Sequence, residues 1–387
     1  MELESKHGIS ISKQSLNERF NSSAVCFIKS LLLKQLDAMS GFKLKGIPLN
    51  TFSSVLIKDS TRFQIHDSLK SFYPGHSGNA SGAGIHIQYE FDVLSKRLTD
   101  LTLSDAHRAD TTDAKQSIDR IQENSLLLRD MGYFDLGVIK EIIKRNAFFI
   151  SRLRPNVTIY ELVGDRYVDI NLTQLLKKMK RQKADQMELT VYVGRRKKVP
   201  VRMILERMPS DQVSKRIRKA NSFAKKRKYV LSDSYKAWTN FNIYITNVSA
   251  QVLNASNVRK LYSLRWQIEL IFKVWKSICN INKTGHVSKA RFECYLYATL
   301  LYIMINWEIF SMIFSEFWNT KKQLISTYKF FKLARLQTEK LRNIFFNNAD
   351  RILEYLRRLV RICDKKCQLE NRKNQLGLHQ IITLKLI

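Results

Sequence analysis

The spacing of apolar positions along the chain changes at about residue 54, and the change predicts two kinds of secondary structure. Residues 8–48 carry amphipathic patterns, and the polar start at Asn21 or Ser22 ahead of an apolar run predicts a capped helix. From Ser54 onwards, short apolar or alternating runs predict strands instead. These strands are expected at residues 55–57, 85–91, 97–103, 125–128, 148–150, 187–193, 199–207 and 241–245.

Longer amphipathic stretches predict helices between and after these strands. Helical patterns cover residues 113–124 and 136–145, and residues 257–277 are expected to form one continuous helix. The remainder of the chain, to about residue 375, is also predicted to be helical. This mixture of strands and helices indicates an α/β protein.

The charge of the chain predicts a polyanionic partner. Lysine and arginine number 66 against 34 acidic residues, which gives a formal net charge of +32, and the excess recurs along most of the sequence. Nucleic acid is the commonest partner of such a surface. The length of 387 residues, the hydrophobic content of 44% and the 21 Phe exclude a short basic packing protein, because they are enough to fill a real core.

One segment concentrates this charge. Residues 215–228 place eight Lys or Arg in fourteen positions on a predicted helix, at the end of a stretch that we interpret as a strand-rich insertion. A helix of this composition suits the phosphates of DNA, although a merely solvated surface is the alternative.

Cysteine usage and hydropathy exclude two other classes. The five cysteines are scattered and no signal pattern opens the chain, so a reducing cytoplasm is expected. Cys363 and Cys367 have the spacing of half a zinc site, but no second pair completes it, and zinc is not expected. The most apolar stretch, residues 295–305, is shorter than the roughly 20 residues of a bilayer span, so we predict a core helix and no membrane segment.

The predicted helix at residues 257–277 combines an apolar surface with a narrow polar stripe. Four polar residues fall within an arc of about 60° on a regular helix: Tyr262, Arg265, Glu269 and Lys276. The remaining surface is expected to be buried nearly all round and consists largely of Leu264, Trp266, Ile268, Leu270, Ile271, Phe272, Val274 and Trp275. Two interpretations stay open: Arg265 and Glu269 form an internal ion pair, or Glu269 binds metal while the others hold a phosphate backbone.

Two aspartates follow apolar strands in the sequence. Asp59 and Asp130 each stand just past the end of a predicted strand, where a carboxylate can project into a crevice from a rigid backbone. Together with Glu269 they would supply three hard oxygen ligands, which suit a pair of Mg²⁺ or Mn²⁺ ions about 4 Å apart. From the residues alone, a capping or turn role remains open for each aspartate, and Asp67 and Asp135 remain alternatives.

These segments resemble a known family. Residues 262–276 are similar to the Y-x2-R-x3-E-x6-K signature of the insertion-sequence-four family of DDE transposases. Residues 58–61, Lys-Asp-Ser-Thr, resemble the first-aspartate turn of that family, and residues 128–134 resemble its Asp-x-Gly-Tyr segment. The order Asp, Asp, insertion, Glu is the same, and the similarity covers roughly residues 8–307.

The resemblance implies an RNase H-like catalytic core, interrupted by a β-strand-rich insertion and flanked by helical N- and C-terminal regions. The corresponding domains are a helical DNA-binding region at 1–50, a first core part at 51–154, the insertion at 155–236, a second core part with the Glu269 helix at 237–310, and a C-terminal helical region at 311–387. Because only 58 residues precede Asp59, and residues 11–14 resemble the middle of the family's N-terminal region, part of that region is expected to be missing.

Carried over residue by residue, the resemblance assigns Asp59, Asp130 and Glu269 to two bound Mg²⁺ or Mn²⁺ ions as the catalytic triad. It assigns contacts with the DNA backbone to Tyr262, Arg265, Lys276, Lys273 and Arg152. Trp238 is a candidate for stacking on a flipped base, with a core role as the alternative.

The implied function is cleavage at the ends of a mobile element and joining of the freed 3′-hydroxyls to target DNA. The implied partners are double-stranded DNA, as terminal inverted repeats and as target, and a second copy of the chain in a homodimer. A cytoplasmic location in association with the nucleoid is expected. Two alternatives stay open: a structure-specific RNase H-like nuclease without strand transfer, and a non-catalytic DNA-binding remnant of a decayed element.

Overall fold

The computed structural model describes residues 4, 8–39, 41–42, 44–46, 48–75, 82–370 and 378–383. The chain forms two compact units, each assembled from separate stretches of sequence. Unit 1 consists of Met1–Gly46, Asp59–Arg108 and Trp266–Gln375. Unit 2 consists of Ile47–Lys58, Ala109–Arg265 and Leu376–Ile387.

Strands and helices alternate through much of the described chain, as the sequence predicted. The strands are β1 (Ser54–Gln64), β2 (Gly84–Asp92), β3 (Leu98–Asp105), β4 (Ser125–Arg129), β5 (Phe148–Arg152), β6 (Ile159–Val163), β7 (Arg166–Asp169), β8 (Gln186–Val193), β9 (Val199–Arg207) and β10 (Phe241–Thr246). The helices are α1 (Lys13–Glu18), α2 (Ser22–Ala38), α3 (Asp110–Gln116), α4 (Leu136–Lys144), α5 (Leu172–Arg181), α6 (Ser210–Lys226), α7 (Asp233–Trp238), α8 (Ala255–Tyr262), α9 (Trp266–Ser277), α10 (Lys289–Lys321), α11 (Thr327–Leu336), α12 (Thr338–Asn347), α13 (Ile352–Lys366) and α14 (Leu378–Ile382).

The core of unit 1 forms around strand β2, every residue of which is buried. Strand β2 lies between β1 and β3 and pairs antiparallel with β3. The Tyr89 ring packs edge-on against Trp275 of α9, with 5.0 Å between ring centroids, and also against Trp307 of α10. Aromatic pairs in this geometry add to the free energy gained by burying their surface. Helix α9 is therefore anchored in unit 1 by its apolar face.

Helix α10 is much longer than the apolar stretch at residues 295–305 from which it was predicted. Its 33 residues are long and apolar enough to cross a membrane by length and composition alone, and half of its most apolar window is buried. The Trp307 indole donates a hydrogen bond to the Lys96 carbonyl at 2.8 Å, and the Trp318 indole donates to the Lys45 carbonyl at 2.9 Å. These contacts make α10 a core helix of unit 1, as predicted.

Unit 2 is built on a sheet in which the first half of β1 pairs parallel with β4, and β4 pairs parallel with β5. Strand β10 then pairs antiparallel with both β5 and β9, and the order continues through β8 and β6 to β7. Strands β8 and β9 of the predicted insertion therefore extend the sheet that holds β4 and β5. One face of this sheet buries Leu127, Phe149 and Ile243 against helix α4.

The region at residues 155–236 is less strand-rich than predicted. It contains strands β6 to β9, but helices α5 and α6 contribute ten and seventeen residues to it. The sequence predicted a helix at the end of this region but missed α5, whose Asn171 side chain accepts hydrogen bonds from Thr173 and Gln174 and so caps the helix. The predicted cap at Asn21 of helix α2 is confirmed by its bond from the Ala24 amide at 3.0 Å.

Three predictions about element boundaries are wrong. Residues 257–277 do not form one helix, because a 3₁₀ turn at Ser263–Arg265 separates α8 from α9. The Ser263 hydroxyl donates to the Lys260 carbonyl, a local bond that competes with the regular helical ladder. Strand β1 does not end before Asp59 but continues to Gln64, since buried Thr61 maintains the strand pattern beyond the apolar run. The predicted helix at 113–124 ends at Gln116 and is followed by a 3₁₀ turn at Ile118–Arg120.

Candidate active site

Asp59 lies within strand β1 and is half-buried. Its Oδ1 atom accepts a hydrogen bond from the Ser60 amide at 2.8 Å, which orients the carboxylate on its own backbone. The preceding residue, Lys58, forms an ion pair with Asp113 of helix α3 at 2.6 Å, and both side chains are buried, with exposures of 0% and 3%. A buried pair of this kind fixes the strand immediately before Asp59, because any movement of the strand would pull two buried opposite charges apart, which is unfavourable.

The Lys58–Asp113 pair was missed in the sequence analysis. A lysine inside the apolar run that leads to Asp59 was a visible signal, since lysine is almost never fully buried unless it is paired. Asp113 offered no comparable signal, because its partner lies far away in sequence.

Glu269 lies in the first turn of α9 and is half-buried. Two turns later the Lys276 ammonium donates a hydrogen bond to the carbonyl oxygen of Arg62 at 3.1 Å, which ties α9 to strand β1 within unit 1. Partial burial lowers the pKa of Lys276. Lys273 is exposed, and its ammonium lies 5.6 Å from the centroid of the Tyr328 ring.

Helix α9 is not buried nearly all round, as the sequence analysis predicted. Trp266 is 60% exposed and Leu270 is 44% exposed, on either side of Glu269 in the sequence. The polar stripe is also not a single arc on one helix, because the 3₁₀ turn at Ser263–Arg265 has a tighter repeat than an α-helix. Tyr262 and Arg265 accordingly belong to unit 2, whereas Glu269 and Lys276 belong to unit 1.

Asp130 directly follows strand β4, as predicted, and opens a 3₁₀ turn at Met131–Tyr133. The Tyr262 hydroxyl donates a hydrogen bond to the carbonyl oxygen of Arg129 at 3.3 Å, one residue before Asp130. Burial raises the pKa of Tyr262 well above its usual range, while Arg265 opposes this rise and Asp130 adds to it. Tyr262, Arg265 and Asp130 are thus electrostatic neighbours within unit 2.

Arg152 stands at the end of β5, directly opposite Tyr244 of β10 in the antiparallel register. It is half-buried, and its Nε atom is buried with no hydrogen-bond partner among the described residues. Arg152 also opposes the raised pKa of Tyr262, so it belongs to the same neighbourhood as Arg265, which is only 8% exposed. Arg152, Arg265 and Asp130 therefore all lie in the surroundings of Tyr262.

The two alternative aspartates have other surroundings. The Asp135 carboxylate caps helix α4 by accepting hydrogen bonds from the Gly137 and Val138 amides at 2.7 and 3.1 Å, and it lies 3.3 Å from the Lys115 ammonium. Burial opposes ionisation of Asp135, but these bonds outweigh it and lower its pKa. Asp67 is exposed and begins a short 3₁₀ turn after β1. Asp135 therefore has a structural role as the cap of helix α4.

A basic cavity adjoins the turn that follows Asp130. Its volume is about 820 Å³, and its lining includes Met131, Phe134, Arg154 and Lys197. The Arg154 guanidinium donates to the Met131 carbonyl at 2.8 Å and so holds this turn in place. Arg196 and the Asp135 carboxylate also line the cavity, so its three cationic side chains outnumber its one acidic side chain. This excess of positive charge is consistent with an anionic ligand.

Two further sequence predictions concern the insertion. Helix α6 exposes five basic side chains: Lys215, Arg218, Lys219, Lys225 and Lys226. Trp238 is half-buried and packs against the core of unit 2, with its ring 5.8 Å from that of Tyr235. This packing is the core role that was left open for Trp238.

Within the part of the chain that the structure describes, no group of three or more His, Cys, Asp or Glu side chains is arranged to hold a metal ion. The chemistry of Asp59, Asp130 and Glu269 nevertheless fits a hard divalent ion, because all three are carboxylates and all are half-exposed. Asp59 and Glu269 belong to unit 1, and Asp130 belongs to unit 2.

Comparison with known proteins defines the class of enzyme. Residues 50–306 match the family model of the transposase DDE domain, and the chain belongs to this family. It is an insertion-sequence DNA transposase, an enzyme that cleaves DNA and transfers strands, as the sequence analysis predicted. Enzymes of this family bind DNA and generally act with divalent metal ions.

Its relatives are transposases of bacterial insertion sequences. The transposase for insertion sequence element IS231F of Bacillus thuringiensis subsp. israelensis is 30% identical over 339 residues, 83% of this chain and 70% of the relative. The transposase for IS231B of Bacillus thuringiensis subsp. berliner is 27% identical over 98% of this chain and 83% of its own length. The transposase for IS1151 of Clostridium perfringens is 31% identical over 76% of this chain and 65% of its own length.

One solved structure that the chain matches in part is the cryo-EM structure of the piggyBac transposase synaptic complex with hairpin DNA. It superposes with a TM-score of 0.40 at 10% sequence identity, over 84% of this chain and 60% of that chain.

Proposed function

We propose that Asp59, Asp130 and Glu269 are the catalytic carboxylates of a cut-and-paste transposase of the insertion-sequence-four family. The observation that carries this proposal is the hydrogen bond from the Tyr262 hydroxyl to the Arg129 carbonyl. It joins two segments that lie far apart in sequence, and these are the two segments in which the family's second-aspartate and glutamate motifs are matched. A chance resemblance gives no reason for these segments to meet.

The three carboxylates would hold two Mg²⁺ or Mn²⁺ ions, which when bound activate an attacking water or 3′-hydroxyl and stabilise the departing oxygen. The protein's own residues position the reacting strands. Arg265, Lys273, Arg152 and Lys276 bind the phosphate backbone of the element end. Lys276 also holds α9 against strand β1 through its bond to the Arg62 carbonyl. Tyr262 holds the chain just before Asp130, in addition to the DNA contact that the family resemblance implies.

We further propose that the catalytic core is RNase H-like. Supporting this, β1, β4 and β5 pair in parallel and α4 connects β4 to β5. The proposed domains keep the predicted limits: core parts at 51–154 and 237–310, an insertion at 155–236, and helical regions at 1–50 and 311–387. Parts of both helical regions lie outside the described residues.

The substrates are double-stranded DNA with terminal inverted repeats and target DNA, and we propose that two copies of the chain act together. Two element ends must be cut and joined at one target site, so a homodimer supplies one set of carboxylates for each end. The net charge of +32 suits simultaneous contact with several DNA segments. A cytoplasmic enzyme associated with the nucleoid is consistent with this function.

The decisive experiment measures cleavage of labelled DNA that carries the element's own ends, in Mg²⁺ or Mn²⁺, by Asp59→Asn, Asp130→Asn and Glu269→Gln variants. Each variant should lose about a thousandfold or more in cleavage rate while still binding DNA. Asp67→Asn and Asp135→Asn are matched controls that remove a neighbouring carboxylate, and asparagine still caps a helix, so both should cut within about threefold of wild type.

Other outcomes would identify the alternatives. If Asp67→Asn abolishes cleavage and Asp59→Asn does not, the catalytic residue is Asp67. The same comparison between Asp135→Asn and Asp130→Asn would identify Asp135. Cutting that ignores the inverted-repeat sequence would indicate a structure-specific nuclease. Binding without cutting by wild type would indicate a non-catalytic remnant.

A further inference from the structure

The sheet of unit 2 has a polar face opposite its hydrophobic core. Phe241, Ile243 and Ile245 of β10 point into the core, so Asn242 and Tyr244 point to the other face, because successive side chains of a strand alternate. Residues directly opposite each other in neighbouring strands share a face. The register therefore places Arg152 of β5 beside Tyr244, and Glu206 of β9 beside Asn242.

Two helices add arginines to this face. Arg216 of α6 donates one hydrogen bond to the Phe241 carbonyl at 3.0 Å and another to the Asn242 side-chain oxygen at 2.8 Å. Arg259 of α8 lies 3.3 Å from the Glu206 carboxylate. Three guanidinium groups thus gather around Tyr244, which experiences the charges of all three.

The cationic charge of this face exceeds its anionic charge. Glu206 pairs with Arg259, whereas Arg152 and Arg216 have no carboxylate partner in the described part of the chain. The Nε atom of Arg152 is buried without a hydrogen-bond partner among the described residues. Burial, followed by the repulsion of Arg152 and Arg259, lowers the pKa of Arg216. Like charges held together in partial burial are stabilised by an anion.

We propose that Arg152 and Arg216 jointly bind one backbone phosphate of the DNA on the polar face of unit 2. The guanidinium fork matches two phosphate oxygens, and each arginine has donors left after its contacts within the protein. Tyr262 packs on Tyr244 at 5.4 Å and donates its hydroxyl hydrogen bond to the Arg129 carbonyl, one residue before Asp130, so this phosphate lies near the second aspartate. The inference rests on the proposed function and adds Arg216 to its DNA contacts.

Helix α6 explains how DNA reaches this pair. Lys215 and Lys219 flank Arg216 on the same helix and are exposed, so they extend the positive surface away from the sheet. Arg216 is the half-buried member of the basic run and is fixed by its two bonds to β10. We expect the exposed lysines to attract the DNA and Arg216 to fix the position of one phosphate.

The test measures the affinity of full-length protein for labelled element-end DNA without metal, over a range of salt concentrations. Arg152→Gln and Arg216→Gln should each weaken binding about tenfold and reduce the slope of log affinity against log salt by about 0.9. The salt slope of the double variant should also fall by only about 0.9, because both arginines neutralise the same phosphate. Arg145→Gln is the matched control, since Arg145 already pairs with Asp119 and Glu141, and it should bind within about twofold of wild type.

Three results would overturn the proposal. If both single variants bind with the affinity and salt slope of wild type, neither arginine contacts a phosphate. If the salt slope of the double variant falls by about 1.8, the two arginines bind separate phosphates. Arg216→Lys guards against misfolding: it keeps the charge but loses the fork, and it should bind about threefold more weakly while melting like wild type. If Arg216→Lys binds normally and Arg216→Gln only unfolds, Arg216 is structural. Because binding is measured without metal, loss of the proposed catalytic roles would leave these results unchanged.

Discussion

The Tyr262 hydroxyl donates a hydrogen bond to the carbonyl oxygen of Arg129, the residue directly before Asp130. Tyr262 is 7% exposed, so its hydroxyl is committed to this bond in the protein alone. The family resemblance assigned Tyr262 to the DNA backbone. The structure adds a second role, in which Tyr262 fixes the end of strand β4 and thereby the position of the Asp130 carboxylate.

We predict that Tyr262→Phe lowers the rate of end cleavage about tenfold, because one hydrogen bond that positions Asp130 is lost. Its affinity for end DNA should fall by less than its cleavage rate, because the proposed backbone contact of Tyr262 is one of several. Tyr302→Phe is a suitable control, since it removes a tyrosine bond to Thr338 elsewhere in the chain. A loss of affinity at an unchanged maximal cleavage rate would show that Tyr262 acts mainly on the DNA.

We predict that Asp113→Asn destabilises the protein by about 3 kcal/mol, because it removes the negative charge that lies 2.6 Å from the buried Lys58 ammonium. Urea unfolding measures this change. The double variant Lys58→Met with Asp113→Leu replaces the pair by apolar groups and should recover all but about 1 kcal/mol of the loss. A double variant as unstable as the single one would contradict this account.

The two lysines of α9 should differ in their effects. Lys273 is exposed, so Lys273→Gln should weaken DNA binding and reduce its salt slope by about 0.9. Lys276 is bonded to the Arg62 carbonyl, so Lys276→Gln should lower the cleavage rate more than the affinity. Binding and single-turnover cleavage measured on both variants separate these effects. Equal losses of affinity would indicate that both ammonium groups contact phosphates.

Lys96 should make stability depend on pH above neutrality. Burial lowers its pKa from the ordinary 10.5 to about 8, with Asp92 opposing the shift. Between these values the unfolded chain binds more protons than the folded protein, so the free energy of unfolding should rise as pH increases from 8 to 10.5. For Lys96→Met, the free energy of unfolding measured in urea should change less with pH over this range than it does for wild type. Parallel curves for the two proteins would contradict the prediction.

The sequence predicted much of the local structure because alternation and capping are short-range signals. Strands β4, β5, β8, β9 and β10 and helix α4 lie where their patterns indicated. The break at Ser263–Arg265 was missed because the apolar spacing continues through it, and a single serine bond decides the local geometry. The continuation of β1 past Asp59 was missed because polar Asp59 and Ser60 interrupt the apolar run.

The candidate site was less accessible from sequence than the fold. The residues alone left Asp67 and Asp135 open beside Asp59 and Asp130, and it was the family resemblance that chose Asp59, Asp130 and Glu269. The cap on helix α4 supports that choice, because it gives Asp135 a structural role. Arg216 lies within the basic run at residues 215–228, and nothing in the sequence distinguishes it from the exposed lysines and arginines around it. What distinguishes it is a contact with β10, and long-range contacts of this kind leave no trace in local spacing.

The interleaving of the two units has a consequence for synthesis of the protein. Strand β5 emerges from the ribosome well before β10, its antiparallel neighbour, and unit 1 needs residues from all three of its stretches, the last ending at Gln375. Neither unit can mature while the chain is half made, because the pairings that complete it join distant residues. A translation product interrupted before residue 241 therefore lacks strand β10 and helix α9 with Glu269, so it holds neither a complete unit nor all three proposed catalytic carboxylates.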